Sequence, residues 1–163
     1  MMLGLSVSAF TTLHVVISLI AIIAGLVVMF GMLGSNRMSG LTAIFLLFTI
    51  LTSVTGFMFP FGGVTPGILI GILSCILLAV ACFALYGMHL GGAWRWVYLV
   101  TALVSLYLNV FVLVIQSFLK IPALHELAPG NPPAGAAFAV VQGVVLAFFA
   151  LMIIRAWRRV DPA

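Results

Sequence analysis

Five long apolar blocks separated by short connections constrain this chain more than anything else in it. They run at about 8–33, 41–59, 67–87, 97–119 and 136–156. A helix rises about 1.5 Å per residue, so about 20 apolar residues cross the hydrocarbon core of a bilayer. Each block reaches or approaches that length. The rest of the chain offers little else to fold: of 163 residues, 66% are hydrophobic and 5% charged. A soluble domain carries about 25% charged residues, and here there is too little polar surface to cover a water-soluble globule.

Lipid supplies no hydrogen-bond partner, so only helices and closed barrels can span it. Barrel strands alternate apolar and polar residues over segments of about ten. The block "GILIGILSCILLAVACFALYG" does not alternate. The expectation is an all-α integral membrane protein, a single bundle of five transmembrane helices occupying residues 1–163. The alternative is four spans preceded by a partial N-terminal helix, which would reverse the side of the N-terminus. The opening "MMLGLSVSAF" has no basic stretch and no A-x-A site, so a cleaved signal peptide is not expected.

Lys and Arg near the helix ends set the orientation. Arg37, Arg95, Arg155, Arg158 and Arg159 fall on one side if the spans alternate, and Lys120 falls on the other. Trp94, Trp96, Tyr98 and Trp157 sit on the arginine side, where an aromatic belt belongs. The reading is a multi-pass protein of a bacterial-type inner membrane, N-terminus outside and C-terminus cytoplasmic. The basic residues then act as anchors to anionic lipid, not as a nucleic-acid patch.

A helix apolar all round must reveal its packed face through small and polar residues. Gly63, Gly67, Gly71, Cys75 and Ala79 recur every four residues as one ridge, and Ala139, Gly143 and Ala147 make a second. These ridges are expected to pack on each other, within one chain or between two copies in an oligomer. Cys75 and Cys82 lie two turns apart on one helix, about 10 Å, too far to bond to each other, and read as small packing residues.

The polar inventory is skewed toward the Lys120 side. His14 and Gln142 lie about 9 Å inside that end of their helices. Ser53 and Gln116 belong to the same half, Asn109 is near the midplane, and Lys120, His125 and Glu126 form a rim above them. This pattern predicts a shallow polar recess open to the outside, lidded by the connection that ends in "APGNPP".

Absences narrow the function classes. No Asp or Glu lies inside any block, which disfavours ion-coupled transport and leaves no acid for a Ser–His–Asp triad. No phosphate-binding glycine loop and no His/Cys/Asp/Glu cluster of metal-ligand spacing is present. The leading expectation is a non-catalytic membrane subunit that binds a small amphipathic ligand, a lipid or quinone headgroup, in that recess. Two rivals stand beside it. One is an oligomeric passive channel lined by neutral polar groups. The other is a redox protein using His14, with His125 possible as a second ligand, for haem or quinone. No cofactor is required by the sequence, and the partners expected are membrane lipids and further copies of the chain or a larger membrane complex.

Overall fold

A computed structural model describes residues 2–160. The chain enters as α1 (Val7–Leu33), α2 (Ser39–Phe57), α3 (Pro66–Cys82), α4 (Trp94–Lys120), α5 (Pro122–Leu127) and α6 (Ala136–Val160). α3 continues into a π-helical segment, Phe83–Gly87. Five of these helices, counting α3 with its π-helical end, are long and apolar enough to cross a membrane. Among the described residues there is no strand, only an isolated bridge between Met2 and Leu5. The protein is therefore an all-α, multi-pass bundle. With α1 27 residues long, the partial-helix alternative does not hold.

Local chemistry explains where the helices start. The Ser6 hydroxyl accepts from the Ala9 N–H at the head of α1, and the Thr65 hydroxyl accepts from the Ile68 N–H at the head of α3. Each thereby satisfies one of the amide groups that a helix end leaves open. Pro66 and Pro122 open α3 and α5, where the missing N–H costs nothing.

α4 is the central helix, with α1, α2, α3 and α6 all packed on it. Its buried residues Leu99, Ala102, Leu103, Ser105 and Leu106 cover a broad arc, as enclosure on several sides requires. Neighbouring spans run antiparallel. At one end Trp96 of α4 stacks on Trp157 of α6, with ring centroids 4.1 Å apart. At the other end Phe118 of α4 meets Phe138 of α6 edge-on at 5.4 Å. These are termed the arginine end and the Lys120 end. α6 is the most peripheral span: Val140, Val144, Leu146, Leu151 and Ile154 are all exposed, a face suited to lipid tails.

The two small-residue ridges do not close on each other within this chain. α3 packs on α4 and α2, while α6 packs on α4 and α1. A Cβ added at Gly63 or Gly143 would meet nothing within 4 Å, and at Gly67 only its own Thr65 hydroxyl at 3.7 Å. Ala139 is exposed as well. Gly71 does make a close approach, since a Cβ there would lie 2.8 Å from Cε1 of Phe57. Phe57 ends α2 and is 39% exposed, so its ring can turn aside. Replacing Gly71 with Ala is expected to change stability by less than about 1 kcal/mol, because a gain in helix propensity of similar size offsets the displacement. The check is thermal unfolding in detergent, where the midpoint should move by less than about 4 °C.

The tightest approach in the bundle lies on α1. A Cβ built on Gly25 would fall 2.6 Å from Leu106 Cδ1 and 2.8 Å from Phe45 Cδ2. Both neighbours are fully buried. Here α1 crosses α2 and α4 with backbone almost against side chain.

Candidate ligand-binding site

The hydroxyls of the bundle are mostly consumed by their own helices. Ser18, Thr49, Thr52, Thr101 and Ser105 each donate to the carbonyl four residues earlier, at 2.6–2.8 Å. Ser53 does the same, donating to the Thr49 carbonyl at 3.2 Å, and is buried. A hydroxyl bonded to its own turn needs no partner from another helix. Ser53 accordingly presents no donor to a recess.

Gln142 also has its donor engaged. Its Nε2 donates to the Phe111 carbonyl of α4 at 3.1 Å, which ties α6 to α4. Phe111, Tyr107 and Phe118 lie on the side of α4 that faces α6: Tyr107 packs on Phe149 at 5.7 Å and Phe118 on Phe138. A helix advances about 100° per residue, so Asn109, Gln116 and Lys120 fall on the other side, together with Leu106. That is the side where Leu106 abuts Gly25 of α1. The polar residues at the Lys120 end are thus split across two faces of α4. Gln142 does not share a recess with His14.

What gathers on the α1 side is smaller and better defined. His14, half-buried, places Nδ1 2.7 Å from Oγ1 of Thr55 on α2. Phe59 stands edge-on to the imidazole at 5.2 Å, and Phe10 stands edge-on to Phe59 at 5.1 Å. The Gly56 backbone passes so close that a Cβ there would touch His14 Cε1 at 3.7 Å. Two turns of α1, the end of α2 and the residues just after it therefore build this corner.

The Thr55 hydroxyl has one proton and two acceptors within 2.7 Å, the Leu51 carbonyl of its own helix and His14 Nδ1. When the proton goes to the Leu51 carbonyl, Thr55 accepts from His14 and Nδ1 carries the ring proton. In the uncharged ring Nε2 is left as an acceptor. Among the described residues Nε2 has no partner, and it is not one of the sealed unpartnered atoms. An oriented imidazole with its far nitrogen open can accept a proton from a hydroxyl or bind a metal centre.

The rim residues stand apart from this corner. His125 sits on α5, exposed, with Nδ1 3.2 Å from the Phe118 carbonyl. Glu126, Gln116 and Lys120 are exposed too. The Phe118 contact engages Nδ1 of His125 as donor and leaves its Nε2 unengaged. Asn109 is half-buried, with its Nδ2 sealed from the surface and unpartnered. Among the described residues no three His, Cys, Asp or Glu side chains come together. The sequence places Thr55 beside Ser53 in the same half of α2, and Phe59 in an aromatic loop that would wall the recess, but it does not single out Phe10. Phe10 was legible in principle, lying four residues before His14 and hence on its face, but the Thr55 pairing across 41 residues was not.

Two open cavities lie at the arginine end. One, of about 390 Å³, is lined by Leu33, Arg155, Arg158 and Arg159. The other, of about 440 Å³, is lined by Val27, Phe30, Gly31, Gly34, Asn36 and Met38. No family model matches the chain, and no curated protein and no solved structure matches it.

Proposed function

We propose that this membrane protein is a non-catalytic binder of an amphipathic, hydroxyl-bearing ligand, a lipid or quinol headgroup, at the His14 corner. His14 Nε2 accepts the ligand hydroxyl, Phe10 and Phe59 wall the ring, and the ligand's tail lies along the exposed apolar side of α1. The Lys120 end is the non-cytoplasmic side of a bacterial-type inner membrane, because five arginines gather at the opposite end. Copies associate through the open ridges at Gly67 and Gly143.

The observation that carries the reading is the Thr55 relay. A histidine kept only to join two helices gains its bond through either nitrogen. With the partner hydroxyl donating to the Leu51 carbonyl of its own helix, Nε2 is an acceptor at the open edge of the bundle. That is how a receptor for a donor group is prepared in advance of its ligand.

The test is titration of a short-chain ubiquinol and of a monoacylglycerol into the protein held in nanodiscs of neutral lipid. One hydrogen bond of about 1.4 kcal/mol corresponds to a tenfold change in affinity, so His14→Leu should weaken binding of the recognised ligand about tenfold. Thr55→Val, which frees the ring to change tautomer, should weaken it less. Equal affinity of wild type and His14→Leu for both ligands would remove the proposal. A Soret band on adding haem, lost in His14→Leu, would replace it with the haem alternative.

A further inference from the structure

The cavity at the arginine end is a second site, separate from the His14 corner. We infer that Arg155, Arg158 and Arg159 hold the phosphodiester of one anionic glycerophospholipid, with Leu33 of α1 forming the apolar floor beneath its glycerol and first acyl carbons.

Four observations meet here. First, Arg155, Arg158 and Arg159 line the same cavity, because positions three and four residues apart share a helix face. Its volume of about 390 Å³ falls within the about 300–1,000 Å³ of small-molecule sites. Second, the carbonyls that end α1 near Leu33 are already engaged. The Phe30, Gly31 and Met32 carbonyls at the end of α1 accept from the Gly34, Ser35 and Asn36 amides, so the guanidinium donors are not drawn to them. Third, charge is unbalanced at this end. Five arginines gather there, and Asp161, which lies outside the described residues, is the only acidic residue nearby in sequence. Even a full neutralisation by that carboxylate leaves an excess of positive charge. Fourth, the Trp96–Trp157 stack sets the headgroup level, which places the cavity where lipid phosphates lie.

Ordinary anchoring explains part of this arrangement. Arg158 and Arg159 occupy the last turn of α6, where a cation complements the helix dipole. Arg155 lies a turn earlier and nevertheless lines the same cavity, together with Leu33 from a different helix. Arg matches a phosphate oxygen pair with two parallel donors. A basic pocket between spans is the arrangement that recognises an anionic headgroup rather than merely attracting a charged surface.

The probes are dihexanoyl phosphatidylglycerol, dihexanoyl phosphatidylcholine and inorganic phosphate, each added to the full chain in neutral detergent. Adducts are counted by native mass spectrometry and binding is followed by Trp157 fluorescence. The expected result is saturable one-to-one binding of phosphatidylglycerol. Arg155→Gln with Arg158→Gln should weaken it at least about tenfold through loss of two charge-assisted contacts. Arg37→Gln with Arg95→Gln removes the same charge from the same end and should change it by less than about twofold. Arg155→Lys with Arg158→Lys keeps the charge but not the paired donors, and should fall between the two. Equal loss in both glutamine pairs would overturn the site in favour of diffuse surface charge. Equal binding of phosphatidylcholine, or competition by inorganic phosphate at matched concentration, would overturn its assignment to an anionic lipid. If the glutamine pair does not fold, the lysine pair decides: unchanged affinity there overturns the proposal.

Discussion

Valine in place of Gly25 is expected to destabilise the bundle more than any other single substitution considered for it. Already the first added carbon would sit 2.6 Å from Leu106 Cδ1 and 2.8 and 2.9 Å from two atoms of the Phe45 ring. Phe45 and Leu106 are fully buried, so neither can swing into lipid as Phe57 can beside Gly71. Inserting one or two methylenes into a filled core costs about 1–3 kcal/mol. Valine adds three carbons at a point where helix backbone meets side chain, so at least the top of that range applies. For a chain of this size about 3 kcal/mol lowers the unfolding midpoint by about 6–12 °C. Thermal unfolding in detergent measures it. A midpoint within 2 °C of wild type, on a scale of about 2–4 °C per kcal/mol, would mean that α1 does not cross α2 and α4 at Gly25.

The same junction offers a control. Phe45→Leu removes ring atoms beside Gly25 and should cost stability alone, since it opens a cavity in a buried cluster. Combined with Gly25→Val, it should recover part of the loss, because the two changes share one volume. Non-additivity between touching residues is the expected signature of such a contact. In a bilayer no water is released when two apolar helices meet, so close packing carries the association. The Gly25 crossing is therefore where α1 gains most of its hold on the bundle.

These contrasts show what was readable in the chain. Block length and hydropathy place all five spans, because the requirement to satisfy backbone groups in lipid acts on each segment separately. The ends shift for local reasons. α6 runs on to Val160, past its apolar stretch, since an arginine can remain helical while its side chain extends to the headgroups. α5 is six residues long, too short to show a periodicity, although Pro122 marks its start. Faces were harder. Small residues every four positions mark a surface that permits close approach, but Gly143 faces open space while Gly25 is enclosed. The difference lies in Phe45 and Leu106, which are distant in sequence. The polar residues misled in a similar way. Counting them by depth predicts one recess, yet Ser53 bonds its own helix and Gln142 bonds the far side of α4. At the His14 pairing with Thr55, Nε2 is left open as an acceptor when Thr55 sends its own proton to its helix.

Asn109 supplies the second large effect, with the opposite sign. Its Nδ2 is sealed from the surface without a hydrogen-bond partner, and a buried polar group left unpaired costs about 1–3 kcal/mol. Leucine has the same branching at Cγ and no polar atom. Asn109→Leu is therefore expected to raise stability by about 1–2 kcal/mol, less whatever the added volume costs at a half-buried position. The unfolding midpoint should rise by about 2–8 °C. Asn109→Ala is the companion variant: it removes the same unpaired group but leaves space, so it should gain less than leucine. A fall in stability for both would mean that the amide makes a bond which joins the helices, and Asn109 would then be structural. A rise for both marks an amide held at a cost to the fold, and ties it to binding on the His14 side of α4. Ligand titration of the stabilised Asn109→Leu protein separates the two contributions. Weaker binding with greater stability is the expected pairing, since groups that serve a ligand are commonly kept at the expense of the fold.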